Sequence, residues 1–337
     1  MKKSFGITAV IILAILLASG ILFLYYDSPV SAGPEEGVIV EIGKGQTLRS
    51  ISENLAEKNL IRSPFLLQII SRLKGTDMKM KSGQYSIRSS MSTLAIHNLI
   101  VSGSGLLYKV TIPEGLTSSR ISLIMEKNRI SSADEFINAV HNKEIIEKFN
   151  INSDSLEGYL FPDSYLFPQN YPAEKVVTFM VENFFRQLES IYPEYRKLLA
   201  EEIREKIIIA SIVEREYRVE KEAPLIASVF FNRIDKRIPL GSCATVEYVI
   251  TEIQKKPHPE FLTYDDIAIA SPYNTYIHRG LPPSPISNPG RIAINAAFNP
   301  AESDYLYFLL KDRTSGEHFF SRKLSEHNEA RVLYLKK

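Results

Sequence analysis

The longest uninterrupted apolar stretch opens the chain. Met1-Lys-Lys3 is followed by residues 5–26, which carry no charge. At 1.5 Å per residue this run is about long enough to cross a ~30 Å hydrocarbon core. It predicts a transmembrane anchor over 1–27, with Lys2 and Lys3 on the cytoplasmic side and Tyr25 and Tyr26 at the far interface. The competing reading is a cleaved signal peptide ending at Val30-Ser31-Ala32. The run is longer than the usual core of roughly 7–15 residues in such peptides, which favours the anchor. Under either reading the remaining chain works outside the cytoplasmic membrane.

Residues 28–37 hold Pro, Gly, Ser and acidic side chains and read as a tether. Period-two alternation over 38–42 predicts a strand, and Thr47 caps a helix over 48–58. Ser63-Pro64 opens a second helix to about 73, and 81–87 returns as a strand. This strand–helix–helix–strand order resembles a LysM-like module, which implies binding to N-acetylglucosamine-containing glycans; a generic α+β unit fits the pattern equally. The module is bounded at 38–107, followed by a connecting α/β segment at 108–155 and a final domain at 156–337. Helices are expected at 91–101, 117–128, 132–141, 143–148, 173–190, 193–218, 221–235, 246–251, 265–270 and 291–299. A strand is expected at 108–112, a hairpin at 304–320, and a last helix from 324. Residues 161–168 look too rich in proline and aromatic side chains for a long element. The fold class is therefore α+β, with a mostly helical final domain. The long loop 271–290, rich in Pro, Gly, Tyr and Asn, is of the kind that carries function.

Composition narrows the chemistry. Of 337 residues, Lys plus Arg number 40 and Asp plus Glu 39, which leaves no basic excess for nucleic acid. A single cysteine, Cys243, excludes an internal disulfide. No two histidines stand at i, i+4 spacing and Cys243 has no CxxC partner, so the sequence supports no metal site. No cofactor is implied. The informative segment is Ile207-Ile-Ile-Ala-Ser-Ile-Val-Glu-Arg-Glu-Tyr217. On a helix, Glu216 falls in line with Ile209 and with Ile212 or Val213, whereas Glu214 points to the opposite side with Ala210 and Ile207. One carboxyl thus continues an apolar stripe and the other is expected to leave it. A carboxyl held against apolar side chains has a raised pKa and suits a general acid. The plain alternative is a helix-end glutamate paired with Arg215 or Arg218.

Several segments occur together in one order. They are Glu157-Gly-Tyr-Leu-Phe-Pro-Asp-Ser-Tyr165, Ala210-Ser-Ile-Val-Glu-Arg-Glu216, Ala227-Ser-Val-Phe-Phe-Asn-Arg233, and Ser271-Pro-Tyr-Asn-Thr-Tyr276 leading to Gly280-Leu-Pro-Pro-Ser-Pro-Ile-Ser-Asn-Pro-Gly290. Tyr305-Leu-Tyr-Phe308, His318-Phe319 and His327-Asn328 complete the set. Behind an apolar amino terminus, this set closely resembles the YceG-like endolytic murein transglycosylases, the MltG family. The resemblance implies lytic cleavage of the β-1,4 bond between N-acetylmuramic acid and N-acetylglucosamine in nascent strands, with Glu216 as the catalytic acid. It implies peptidoglycan strands as substrate and cell-wall synthesis proteins at the membrane as partners. The chain departs from the family at Leu240-Gly-Ser-Cys-Ala-Thr-Val246, where Cys243-Ala244 replaces an Asp-Pro pair.

Around Glu216, Glu157 and Asp163 are candidates for a second acid, the requirement of an ordinary hydrolase. Tyr159, Phe161, Tyr273 and Tyr276 are candidate walls of a sugar groove. Asn232, Ser271 and Asn274 are candidate donors to acetamido or hydroxyl groups. A muramidase and a non-catalytic wall-binding scaffold stand as the alternatives.

Overall fold

The computed structural model describes residues 2–31, 37–103 and 105–335, with side chains from 13 to 334. Part of the expected tether, residues 32–36, lies outside the described residues. Contacts divide the chain into two units, residues 1–108 with 166–171, and residues 109–165 with 172–337.

The first unit begins with α1 (Lys2–Asp27). Its side chains from Leu13 to Leu24 are exposed: Leu16 is 63% and Leu24 70% accessible. Among the described residues no helix is long and apolar enough to cross a membrane. The side chains of 5–12, part of the expected anchor, lie outside the described residues. The carboxy-terminal end of α1 is fastened in place. Asp27 Oδ1 accepts the Leu94 N–H at 2.7 Å, and Arg62 donates to the Pro29 carbonyl at 2.7 Å.

The expected βααβ order is present as β1 (Val38–Ile42), α2 (Leu48–Glu57), α3 (Pro64–Leu73) and β2 (Gly83–Ile87). The strands pair antiparallel, Val38 opposite Ile87 and Ile42 opposite Gly83. Thr47 and Ser63 cap the two helices through their hydroxyl oxygens. The inward alternation of β1 places Val40 and Ile42 against Ile51, Leu55, Leu67 and Tyr85 in one core. Helix α4 (Thr93–Ser102) closes this core with Ile96 and Ile100 and ends on Gly103, whose φ of 75° is the left-handed cap a glycine supplies at least cost.

After β3 (Leu107–Thr111) come α5 (Ser118–Lys127), α6 (Ala133–Val140) and α7 (Lys143–Lys148). The stretch expected to be irregular contains a strand, β4 (Ser164–Pro168). Its alternation buries Tyr165 and Phe167 and exposes Leu166, so the aromatic residues fit a half-buried strand despite the flanking prolines. The expected helix 193–218 is also corrected. Pro193–Lys197 forms a 3-10 turn, Leu198 and Leu199 run extended, and α9 starts afresh at Ala200 and ends at Glu216. The extended pair follows from where the next helix caps itself, for the Glu202 carboxylate takes the Leu199 N–H at 2.7 Å.

Helix α9 is the axis of the second unit. It packs against α10 (Ala223–Asp235), α11 (Cys243–Tyr248) and α13 (Arg291–Phe298), while α8 (Ala173–Ile191) packs on α6 and α13. A five-residue π turn, Val249–Ile253, extends α11, and α12 (Tyr264–Ile267) is a single turn. Strands β5 (Tyr307–Leu310) and β6 (His318–Ser321) form the expected hairpin, followed by α14 (Leu324–Leu335). This mixed helical architecture with short antiparallel strand pairs is α+β.

The long loop is pinned at several points. Ser211 Oγ on α9 accepts the Ile286 N–H at 3.0 Å, and Ser287 Oγ donates to the Ser211 carbonyl at 3.0 Å. Asn288 Oδ1 accepts both the Gly158 and Leu160 N–H groups at 2.9 Å. Gly158 has φ 91°, and a Cβ there would stand 2.5 Å from Pro285 Cγ, so only glycine lets the two loops approach.

Candidate functional site

Residues 207–213 of α9 are all fully buried, on every side of the helix. The expected single apolar stripe is therefore a cylinder buried on every side, apolar but for Ser211, and helical spacing does not separate the two glutamates at its end. Their surroundings do. Glu214 does not leave the apolar region. It tucks beneath the 113–115 turn, where its Oε2 accepts the Gly290 N–H at 2.8 Å and Gly115 passes close by. Burial, with the Glu114 charge nearby, pushes its pKa up to about 8 against the opposing pull of the Gly290 hydrogen bond.

Glu216 instead opens into a cleft of about 830 Å³. It keeps partial access to the cleft, but protein encloses it closely enough that burial raises its pKa above the usual carboxylate range. The Ser242 hydroxyl donates to Glu216 Oε1 at 2.5 Å. Ser242 is itself held rigidly: its N–H donates to Thr275 Oγ1 at 3.1 Å, and Thr245 Oγ1 donates to its carbonyl at 2.8 Å. One carboxyl oxygen is thus fixed, leaving the other available to a ligand. Beside it, Arg215 pairs with Glu247 at 2.8 Å. His318 faces the cleft with its Nδ1 2.8 Å from Glu222 Oε2, a pair almost entirely shielded from solvent. Among the residues lining this cleft Glu216 is the only carboxyl.

The YceG-like family model matches residues 40–332. This chain belongs to the YceG-like family. It is 32% identical over 341 positions to the endolytic murein transglycosylase of Bacillus subtilis, an alignment covering 95% of this chain and 91% of that one. Against the endolytic murein transglycosylase of Streptococcus pneumoniae the identity is 29%, covering 97% of this chain and 64% of that longer protein. The crystal structure of a yceG-like protein from Listeria monocytogenes, 30% identical, superimposes with a TM-score of 0.57 over 88% of this chain and 99% of that one.

Of the residues singled out in this YceG-like sequence, the structure brings Glu216 and Tyr276 into the cleft. The others lie elsewhere and hold the fold together. Glu157 is buried and takes the Ser118 N–H at 3.0 Å and the Asn288 Nδ2–H at 2.7 Å. Burial nevertheless pushes its pKa up to about 7. Tyr159 is a core residue packed edge-on against Phe184, and Phe161 is buried as well. Asp163 accepts from Ser164 N and from Asn183 Nδ2. Asn232 Nδ2 donates to the carbonyls of Ser303 and Tyr305. Ser271 and Asn274 shape their own turn, with Asn274 fully buried and donating to the Ile267 and Ile269 carbonyls. Tyr273 hydrogen-bonds Ser284 at 2.7 Å and lines a different hollow. Amides in such motifs look like ligand groups in sequence, but here Asn232 and Asn274 satisfy backbone carbonyls.

Sequence reasoning assigned no role to Ser242, Arg233 or Tyr307, although Arg233 and Tyr307 both stand in quoted motifs. Ser242 had a usable signal: it lies one position before the departure at Cys243. Cys243 itself is exposed at the cleft, 3.1 Å from the Tyr276 hydroxyl. Burial raises its thiol pKa, so it stands as a neutral thiol and not as a thiolate nucleophile.

The two off-cleft glutamates predict a pH dependence of stability. A carboxyl whose folded pKa lies above its ordinary value of 4.5 binds its proton more tightly in the native state. Its contribution is complete at low pH and is lost as pH rises towards about 8 for Glu214 and about 7 for Glu157. Glu214→Gln retains an acceptor for Gly290 and removes the ionisation. Its melting midpoint should fall less steeply than wild type between about pH 5 and pH 8. Parallel pH profiles would show that Glu214 is ionised in the native protein.

Proposed function

We propose that this chain is an endolytic murein transglycosylase, a carbon–oxygen lyase that cuts the bond between N-acetylmuramic acid and N-acetylglucosamine within peptidoglycan strands. The observation that carries this reading is a cleft with a single carboxyl, held by Ser242 and raised in pKa by burial. Hydrolysis by either common route uses two carboxyls flanking one bond. The two candidates for a second acid, Glu157 and Asp163, are occupied away from the cleft. The names borne by the relatives point the same way.

One carboxyl suffices for the lytic reaction. Protonated Glu216 gives its proton to the glycosidic oxygen as the C1–O bond breaks and the N-acetylglucosamine hydroxyl departs. The resulting carboxylate takes the proton from the C6 hydroxyl of the muramyl residue. That oxygen then bonds to C1, closing a 1,6-anhydro ring and regenerating the acid. No water is consumed. The Ser242 hydrogen bond keeps one oxygen in place, so the same carboxyl can serve both steps without reorienting.

The two remaining parts of the reading concern location. The described side chains of α1, from residue 13 onward, are too short a run to cross a membrane, but the whole helix has 26 residues, about 39 Å, and its described apolar side chains are exposed. We place it in the cytoplasmic membrane with the rest of the chain outside, near newly made strands and cell-wall synthesis proteins. The βααβ unit, as a LysM-like module, then offers a second contact to the glycan.

Glu216→Gln should abolish cleavage of purified sacculi while the fold persists, because glutamine matches the size but delivers no proton. Wild-type products should end in 1,6-anhydro-N-acetylmuramic acid by mass spectrometry. Reducing muramic ends would convert the enzyme to a muramidase, and binding without release would leave a scaffold. Ser242→Ala should lower kcat roughly tenfold, the loss of one hydrogen bond to a carboxyl. It should also move the alkaline limb of the pH–rate profile upward, since that bond holds the Glu216 pKa down; an unmoved limb would leave Ser242 without a hold on the acid. The protein should fractionate with the cytoplasmic membrane and retain its first 26 residues. A soluble protein beginning at Gly33 on amino-terminal sequencing would make the run a signal peptide.

A further inference from the structure

The cleft that holds Glu216 is strongly biased in charge. Four arginines line it, Arg215, Arg218, Arg233 and Arg331, against one carboxyl. The chain as a whole is nearly balanced, with 40 basic and 39 acidic residues, so the excess is local. Among the described residues only Arg215 of the four is neutralised, by Glu247. Among the described residues neither Arg233 nor Arg331 forms an ion pair. A neutral sugar needs no such field.

The charges converge at one place. Arg233, on α10, donates from Nε to the Leu306 carbonyl at 2.6 Å and from Nη1 to the Leu240 carbonyl at 2.6 Å. These bonds lock its plane, and its Nη2 edge makes no hydrogen bond among the described residues. The guanidinium lies over the Tyr307 ring, 5.0 Å from its centre, and that ring stacks at 5.4 Å on His327 of α14. Arg331 follows His327 by four residues, one helical turn on. The buried Nδ1 of His327 has no hydrogen-bond partner, an uncommon and costly arrangement. Burial and both guanidinium groups hold the imidazole below its ordinary pKa. The cluster adjoins the acid through the backbone. Leu240 takes the Arg233 bond, Gly241 leaves room between Arg233 and Tyr276, and Ser242 holds Glu216.

We propose that Arg233, His327 and Arg331 form a carboxylate-binding subsite of this cleft, which holds an acidic group carried by the muramyl residue at the scissile bond. The inference rests on the reading of the chain as a murein transglycosylase. Two sources supply the same chemistry: an acidic residue of a peptide attached to the muramyl lactyl group, or the free lactyl carboxylate of a stripped strand. Arg233 is pre-organised, so binding orders few further side chains. Docking a carboxylate here aligns the muramyl ring before Glu216 acts.

The test uses the full chain carrying Glu216→Gln, so that binding is read without cleavage. Three strand preparations serve as probes: peptide-bearing strands, strands stripped to free lactyl carboxylates, and stripped strands whose carboxylates have been converted to neutral methylamides. The neutral strands should bind about tenfold more weakly than at least one anionic form, and the preferred anionic form identifies the source. Adding Arg331→Gln, at an exposed position, should erase most of that preference, and Arg331→Lys should restore part of it. Equal binding of all three strands, or a preference unchanged by Arg331→Gln, overturns the subsite. Products of the wild-type enzyme are analysed in parallel. Anhydro ends without carboxylate preference sink the subsite alone, whereas carboxylate preference without anhydro ends sinks the lytic reading and leaves the subsite standing.

Discussion

The second unit is organised by a helix with no polar side. Residues 207–213 of α9 are shut off from solvent all round, so neighbours must cover every face: α10 and α13 along its length, α11 near its end, and the loop 285–288 through Ser211. Such a helix is ordinary in the middle of a core, but its last turn carries Glu214, Arg215 and Glu216. Charged groups delivered into an apolar interior must be paired, hydrogen-bonded or neutral. Each of the three takes a different course. Arg215 pairs with Glu247, Glu214 accepts a backbone N–H beneath a turn, and Glu216 meets a serine hydroxyl at the wall of a cleft.

Raised carboxyl pKa values are common to this core and do not by themselves mark the site. Glu157, Glu214 and Glu216 are all shifted upward, and in each the leading cause is burial. The first two are enclosed by backbone donors from the loops they anchor, and they hold those loops together. Glu216 alone has space in front of it. The distinction between a structural acid and a candidate catalytic one therefore lies in access and in the unused oxygen, which is a property of the cleft rather than of the residue.

The motif-rich loop shows the same division of labour. Asn288 joins three segments through both ends of its amide, to Gly158, Leu160, Leu116 and Glu157. Asn274 does the equivalent for its own turn. These residues have the chemical look of sugar-binding groups, yet their donors and acceptors are used up within the protein. What the loop contributes to the site is Tyr276 at the cleft wall and the position of Thr275, which holds Ser242, which in turn holds Glu216.

Much was legible in the chain alone. Cap residues, prolines and periodicity located the βααβ unit, most helices and the terminal hairpin, because these depend on interactions within a few residues. The ordered set of motifs identified the family, and the end of the apolar helix singled out Glu216, which the structure places at the cleft. The sequence misjudged what depends on partners distant along the chain. It gave Glu214 to solvent, since periodicity reports one helix and not what surrounds it. It read Tyr159, Asn232 and Asn274 as site residues, since side-chain chemistry does not reveal whether a hydrogen bond is already taken. The placing of Ser242 against Glu216, and of Arg233 against Tyr307 and His327, belongs to tertiary structure. Glu216 and Ser242 lie 26 positions apart and Arg233 and Tyr307 lie 74 apart, with the Tyr307 ring stacked in turn on His327, and only the packing of α9, α10 and α14 around one cleft brings them within reach.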